Sequence, residues 1–271
     1  MSVQKGQMAH SRDRFARPGK GRSSAETGAH LWKQCNEDVL IVHVDPERLE
    51  GIIAPEFEIL IEQGKARILI AVQDCSSYRL EGEEVGPTHE VHEWVAIEMP
   101  PDVRPVPGAE RTLPTMHWFA VYTGSNNERS REHWNRSGTE ALPLEAVTLL
   151  SSASGVRGEV VIGGNRGYEW TAEPGAPFAR LVAVNHEVYA RNQVGEVVLN
   201  RIQCLANVEA WGSRGELKVI GAADPSGVVS EGTHALTAHT FLPLWGWATL
   251  ADGLPEAQSG GYSKPNRTPG S

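Results

Sequence analysis

The sequence predicts a mainly β protein whose strands close into an antiparallel barrel or folded sheet, with two or three short helices. Three observations lead there. Short runs rich in Val, Ile and aromatic residues recur along the whole chain, separated by Gly-, Pro- and Asn-bearing breaks. Signals that start a helix occur at two places, after Asp45 and after Ser125. Nothing alternates strand with long amphipathic helix, which a parallel α/β sheet requires. No internal repeat is visible.

The elements follow in order. Residues 38–44 (DVLIVHV) read as a buried strand. Asp45-Pro46 then opens a short helix over PERLEGII, with Asp as N-cap and Pro at the first helical position, and Pro55 ends it. The runs 57–63 and 66–74 form a hairpin about Gly64-Lys65. Residues 75–87 are polar and acidic and read as a loop, 88–98 as a strand, 100–114 as a proline-dense loop, and 117–123 as a strand. Ser125-x-x-Glu128 has capping-box spacing, so a helix runs from there to about Arg136, with Gly138 as its stop. Strands follow at 143–151, 157–163, 166–172, 179–190, 196–211 and 215–221, with turns at Gly163-Gly164 and at Gly212–Gly215. The last apolar run is 235–250.

Composition bounds the function. The 271 residues suffice for one β domain, expected over 31–254. The net charge of −9 implies no general affinity for nucleic acid or anionic membrane. Residues 1–30 form a basic, apolar-poor tail and 255–271 a Gly/Ser-containing one, and both are expected to be disordered. No apolar stretch has the length of a membrane span or the character of a secretory signal. Cys35, Cys75 and Cys204 are odd in number and widely spaced, so reduced thiols in a cytoplasmic protein are expected.

Several segments carry a family resemblance. Asp45-Pro46 with its helix leading to Ile53-Ala54-Pro55, the strand His92-Glu93-Trp94-Val95-Ala96-Ile97, the segment VYTGSNNERSREHWNRSG at 121–138, and Leu242-Pro243 onward to Asp252-Gly253 resemble, in order and spacing, the acetoacetate decarboxylase family. The likeness spans about 36–253. It implies an antiparallel double-layered β barrel around a largely apolar cavity. In that family a cavity lysine forms a Schiff base with a β-keto acid. This chain departs at that residue. The stretch that would hold it reads Ser137-Gly138-Thr139-Glu140-Ala141-Leu142-Pro143, and none of the six lysines lies between Lys65 and Lys218. Imine chemistry would need Lys33 or Lys218 to enter the cavity from another element.

Strand 88–98 is the most informative segment for chemistry. Alternation places His89, Val91, Glu93, Val95 and Ile97 on one face. A carboxyl between two valines is desolvated and its pKa raised, as a general acid or base requires. The structural alternative is a buried Glu paired with an Arg. The resemblance also places Glu93 at the family's glutamate and Arg131 in its Arg-Glu pair, so Glu93 is the expected proton carrier and Arg131 the expected carboxylate binder. His89, Trp118 and Tyr122 are expected at the substrate. His89 lies about 13 Å along the strand from Glu93, out of hydrogen-bond reach. His89-x-x-His92 diverges to opposite faces and is a poor chelate, so no metal is expected, and no cofactor.

The expectation is therefore a small-molecule enzyme, a lyase or hydrolase that is not Schiff-base dependent, acting by decarboxylation, dehydration, cyclisation or hydrolysis on a keto acid, polyketide or terpenoid-like substrate. The alternative is a non-catalytic binding protein on the same scaffold. The expected partner is the small molecule, with a homo-oligomer also open and no nucleic acid or membrane.

Overall fold

The computed structural model describes residues 29–80, 83–99, 115–136, 138–152, 154–163, 166–175, 181–191, 195, 197–221 and 227–250. For residues 29–34, 181–184, 203–211 and 242–250 it describes the backbone. Residues 1–28 and 255–271 of the expected tails, the proline-dense loop at 100–114 and the close at Asp252-Gly253 lie outside the described residues, while residues 29–30, expected in the tail, begin the first strand.

The fold is mainly β, and the described residues form thirteen strands in one large mixed sheet. They are β1 (Ala29–Val44), β2 (Ile61–Glu62), β3 (Lys65–Leu80), β4 (Glu83–Glu84), β5 (Thr88–Ala96), β6 (Thr115–Ser125), β7 (Ala141–Pro143), β8 (Ala146–Leu149), β9 (Val156–Gly163), β10 (Arg166–Ala172), β11 (Leu181–Arg191), β12 (Val197–Ile220) and β13 (Gly232–Leu250). One α-helix, α1 (Glu128–Arg136), and one 3-10 helix, Pro46–Leu49, complete the described elements. The sheet order is β11-β6-β5-β3-β1-β13-β12-β10-β9-β8, and β11 pairs in addition with β12. Among the described strands, pairing is antiparallel except for β6–β11 and β6–β7, which are parallel, so the sheet is mixed where the sequence reading had an antiparallel one.

Local chemistry explains most elements. Gln63 and Gly64 both have positive φ, the backbone a tight hairpin needs, and they join β2 to β3. Residues 57–60 stay outside the strand apart from a bridge at Ile59. The segment read as a loop at 75–87 is largely strand, because β3 continues to Leu80 and pairs with β4. Asp45 makes no side-chain cap, because its carboxylate pairs with Lys65 instead at 2.5 Å. At α1 the cap is Asn127 rather than Ser125: the Ser130 amide donates to Asn127 Oδ1, while Ser125 Oγ accepts the Asn127 amide. Gly138, at φ 87°, ends the helix as expected.

The expected turn at Gly212–Gly215 is absent, and β12 runs through it as a single strand of 24 residues. Gly212 (φ 65°) supplies a left-handed step, and the register against β13 shifts between Ala206 and Ser213. The polar glycine-flanked segment is thus a bulge, which bends a strand without ending it. The first half of β12 pairs with β11 and its last residues pair with β10.

The middle of β3 and most of β5 are buried on both faces, and β1 lies beside them with Leu40 and Val42 fully buried. One face carries Leu40, Val42, Ile68, Ile70, Val72, Val91 and Val95, which share a core cluster with Val160, Tyr168, Trp170 and Leu217 from β9, β10 and β12. Full burial of each such aliphatic side chain contributes roughly 1.5–3 kcal/mol. Gly158 makes room for Trp170 in this cluster: a Cβ there would lie 2.2 Å from the indole. Asp38 is the polar tie of this face. Its carboxylate accepts hydrogen bonds from Thr240 (2.7 Å), Trp170 (2.9 Å) and Ser151 (2.5 Å), linking β1 to β13, to β10 and to the segment after β8. The opposite face holds a second cluster, including Leu69, Ala71, Trp94, Trp118, Trp134, Val188 and Ile202.

Cys35 and Cys75 face each other in the β1–β3 register and form a disulfide across 40 residues. This corrects the expectation of reduced thiols. Spacing could not reveal it, because the two cysteines meet only once β1 and β3 pair.

Candidate functional site

The residues expected at the site do not converge. Glu93 is fully buried, and its Oε2 accepts a hydrogen bond from the Tyr168 hydroxyl at 3.0 Å. Tyr122 is buried directly across from it in the β5–β6 register, on the same Asp38-bearing face. Trp118 is also buried, but on the opposite face, where its Nε1 donates to His186 Nδ1 at 2.9 Å. His89 sits part-exposed at the start of β5, with Nε2 3.2 Å from Asp74. Arg131 is part-buried and donates to the Ser125 carbonyl at 2.9 Å. Of the two lysines that could have reached an interior, Lys218 is exposed and pairs with Glu169 at 2.9 Å. The Lys33 side chain lies outside the described residues.

A polar cluster lies instead on the opposite face of β1, β3 and β5. Register carries one row across four strands: Glu37 opposes Gln73, Gln73 opposes Glu90, and Glu90 opposes Ser125. Directly opposed residues in an antiparallel pair share a face. Gln73 Nε2 donates to Glu37 Oε1 at 2.7 Å, and both residues are buried, at 6% and 8% exposure. Gln73 Oε1, also buried, has no hydrogen-bond partner. Two residues along β5, His92 places Nε2 3.3 Å from Glu90 Oε2 and Nδ1 3.2 Å from Thr123 Oγ1. Glu90 Oε1 accepts from Ser130 Oγ and from Trp134 Nε1, which ties α1 to the row.

Aromatic rings wall this cluster. The His92 ring lies 5.4 Å from Trp94 and 5.2 Å from Trp134, while Trp94 is 6.3 Å from Trp118 and 5.6 Å from His186. In the register beyond Trp118 come Val188 and then Asn200, whose buried Nδ2 has no hydrogen-bond partner. The Cys35–Cys75 disulfide is two residues from the Glu37–Gln73 pair on both strands, and the straight β1–β3 register fixes that pair.

Burial sets the protonation of these groups. Desolvation lifts the Glu37 carboxyl to about 7, against the Gln73 hydrogen bond and the charge of His92, with Asp38 adding to the rise. Desolvation pulls the His186 imidazole down to about 4, which suits an Nδ1 that accepts the Trp118 hydrogen bond. On the other face, burial raises the Asp38 carboxyl despite its three donors. A separate group joins β6, β11 and β12: Glu187 meets Arg201 Nε at 3.3 Å, Tyr189 Oη at 3.3 Å and His117 Nδ1 at 3.4 Å. Burial pushes its carboxyl up, but the hydrogen bonds and charges of His117 and Arg201 prevail and hold it below the ordinary range. Among the described residues no group of three or more His, Cys, Asp or Glu is arranged to hold a metal ion.

No family model matches the sequence, and no curated protein does. Solved structures do. The chain is similar to an acetoacetate decarboxylase from Legionella pneumophila, at 12% identity and TM-score 0.48, covering 93% of this chain and 98% of that one. It is similar to the enduracididine biosynthesis enzyme MppR with HEPES buffer bound, at 14% identity and TM-score 0.48, covering 83% and 86%. It is also similar to an acetoacetate decarboxylase-like enzyme from Sphingomonas wittichii RW1, at 13% identity and TM-score 0.47, covering 88% and 98%. No helix among the described residues is long and apolar enough to cross a membrane.

The sequence reading missed Glu37, Gln73 and Glu90. Alternation in β5 did separate Glu90 and His92 from Glu93. Pairing is what raises the first set to a site, since Glu37 and Gln73 stand 36 residues apart and share no local motif.

Proposed function

We propose that this protein is a small-molecule enzyme of lyase type whose proton carrier is Glu37, held by Gln73 beside the Glu90–His92 pair. The observation that carries the reading is the buried Glu37–Gln73 contact of 2.7 Å together with the unmet acceptor Gln73 Oε1. A carboxyl poised near neutrality gives up and takes back a proton with little cost in either direction. In a dehydration, the Glu37 carboxylate takes the proton from a carbon beside a carbonyl. The carbon–oxygen bond at the next carbon breaks, and the same carboxylic acid protonates the departing hydroxyl, which leaves as water. Cyclisation and decarboxylation through an enol use the same base and acid. His92 and Glu90 act as positioning residues, because His92 is engaged at both ring nitrogens.

We take the sheet to wrap on itself as one barrel domain over 31–254. β11 pairs with both β6 and β12, so the pairings run from β6 through β5, β3, β1, β13 and β12 back to β11. The Glu37 face then looks inward. The exposed, paired Lys218 supports chemistry without an imine.

A second reading rests on Glu93 and the Tyr168 hydroxyl at 3.0 Å, with Tyr122 opposite and Arg131 as the cation, as expected from sequence. A substrate screen read by mass spectrometry, followed by variants, separates the two. On any compound that turns over, Glu37→Gln is expected to cut kcat by about a hundredfold or more, and Glu93→Gln by much less. The reverse order supports the Glu93 reading. Full turnover in Glu37→Gln ends this one. Borohydride trapping with acetoacetate is expected to leave the protein mass unchanged, and an adduct on Lys33 or Lys218 would restore imine chemistry.

A further inference from the structure

The Glu37 face has a charge character that bears on what it binds. Five carboxyls are buried among the described residues (Glu37, Asp38, Glu90, Glu93 and Glu187), and no described Lys or Arg is. Glu37 and Glu90 both belong to this face, and the His92 ring beside them is engaged by Glu90 and Thr123. Gln73 adds a carbonyl oxygen that is buried and lacks a donor. Leaving such an acceptor unmet is costly, and a bound donor recovers that cost. Beside this acceptor-rich end stand the indoles of Trp94 and Trp134, both in contact with the His92 ring, and Trp118 beyond them. Aromatic faces attract cations and stack flat apolar groups. A carboxylate ligand would meet two buried acids and no described cation, which is the like-charge arrangement that proteins use to reject a ligand.

We propose that the substrate bound on this face is a protonated amine carried on a flat apolar body, with its ammonium donating to Gln73 Oε1 and Glu37 and its body against the tryptophans. The proposal deepens the reading of Glu37 as proton carrier and rests on the same face. It departs from the keto acid expected from the sequence.

The test is calorimetric titration of the full chain at pH 8 with 2-phenylethylamine, phenylacetate and 2-phenylethanol, which share a body and differ in the head group. The amine is expected to bind at least about tenfold more tightly than phenylacetate, a difference of about 1.4 kcal/mol. Gln73→Leu and Glu37→Gln are each expected to weaken the amine about fivefold or more and to leave 2-phenylethanol nearly unchanged. Phenylacetate binding as tightly as the amine overturns the proposal, as does absence of amine binding. Amine binding that neither variant changes overturns it too. The wild-type comparison decides the matter even if a variant fails to fold. Amine binding without turnover of any amine sinks the enzyme reading and leaves this one. Glu37-dependent turnover of a carboxylate does the opposite.

Discussion

Replacing Glu37 by Gln gives a measurable test of the buried carboxyl without any knowledge of the substrate. Gln keeps an oxygen to accept the Gln73 hydrogen bond at 2.7 Å and removes the titration. In the folded protein, desolvation raises the carboxyl from 4.5 to about 7. Each tenfold change in proton affinity is about 1.4 kcal/mol, so that span comes to roughly 3 kcal/mol. The folded state holds the proton more tightly than the unfolded chain. Below pH 4.5 both states are protonated and the group adds no pH dependence. Between 4.5 and about 7 the unfolded chain has released the proton while the folded protein retains it, so stability falls by about 1.4 kcal/mol per pH unit. Above about 7 the whole penalty is present. Urea unfolding of both proteins from pH 4.5 to 8 reads this as a difference. The variant is expected to gain on the wild type by about 3 kcal/mol across that range. His186 and His239, both drawn down to about 4 by desolvation, titrate in both proteins and cancel in the subtraction. A flat difference, or one that falls as pH rises, refutes the assignment.

Two further outcomes test the scaffold. Asp38→Ala strands three donors, from Thr240, Trp170 and Ser151, and is expected to cost about 3 kcal/mol or more in urea unfolding, whereas a loss under about 1 kcal/mol would mean these bonds tie little together. Replacing Cys35 and Cys75 by Ala opens a loop of 40 residues and is expected to lower stability by up to about 4 kcal/mol, with dithiothreitol shifting the wild type but not the variant.

Much of the fold is legible along the chain because it is written locally. The alternation of β5, the glycine turn read at Gly64-Lys65 and found one residue earlier at Gln63-Gly64, and the stop at Gly138 all depend on residues within a few positions of one another. The break predicted at Gly212–Gly215 fails for the same reason: glycine and polar residues mark either a turn or a bulge, and only the long partner strand β13 decides between them. The site is less legible. Glu93 stands out in the sequence because valines flank it, yet the residues on the other side of the same strand are buried just as deeply. Alternation sorts side chains into two faces without saying that both are covered. The Glu37–Gln73 pair and the Cys35–Cys75 bridge arise only from the β1–β3 register, which brings together residues about forty positions apart.

The most direct test of the central claim, that ligands meet the Glu37–Gln73–His92 face, is a crystal structure of the full chain soaked with 2-phenylethylamine. Ligand density is expected with its nitrogen within hydrogen-bond distance of Gln73 Oε1 and its ring against Trp94 or Trp134. Density lodged between Glu93 and Tyr168, with the Gln73 side empty, would contradict it.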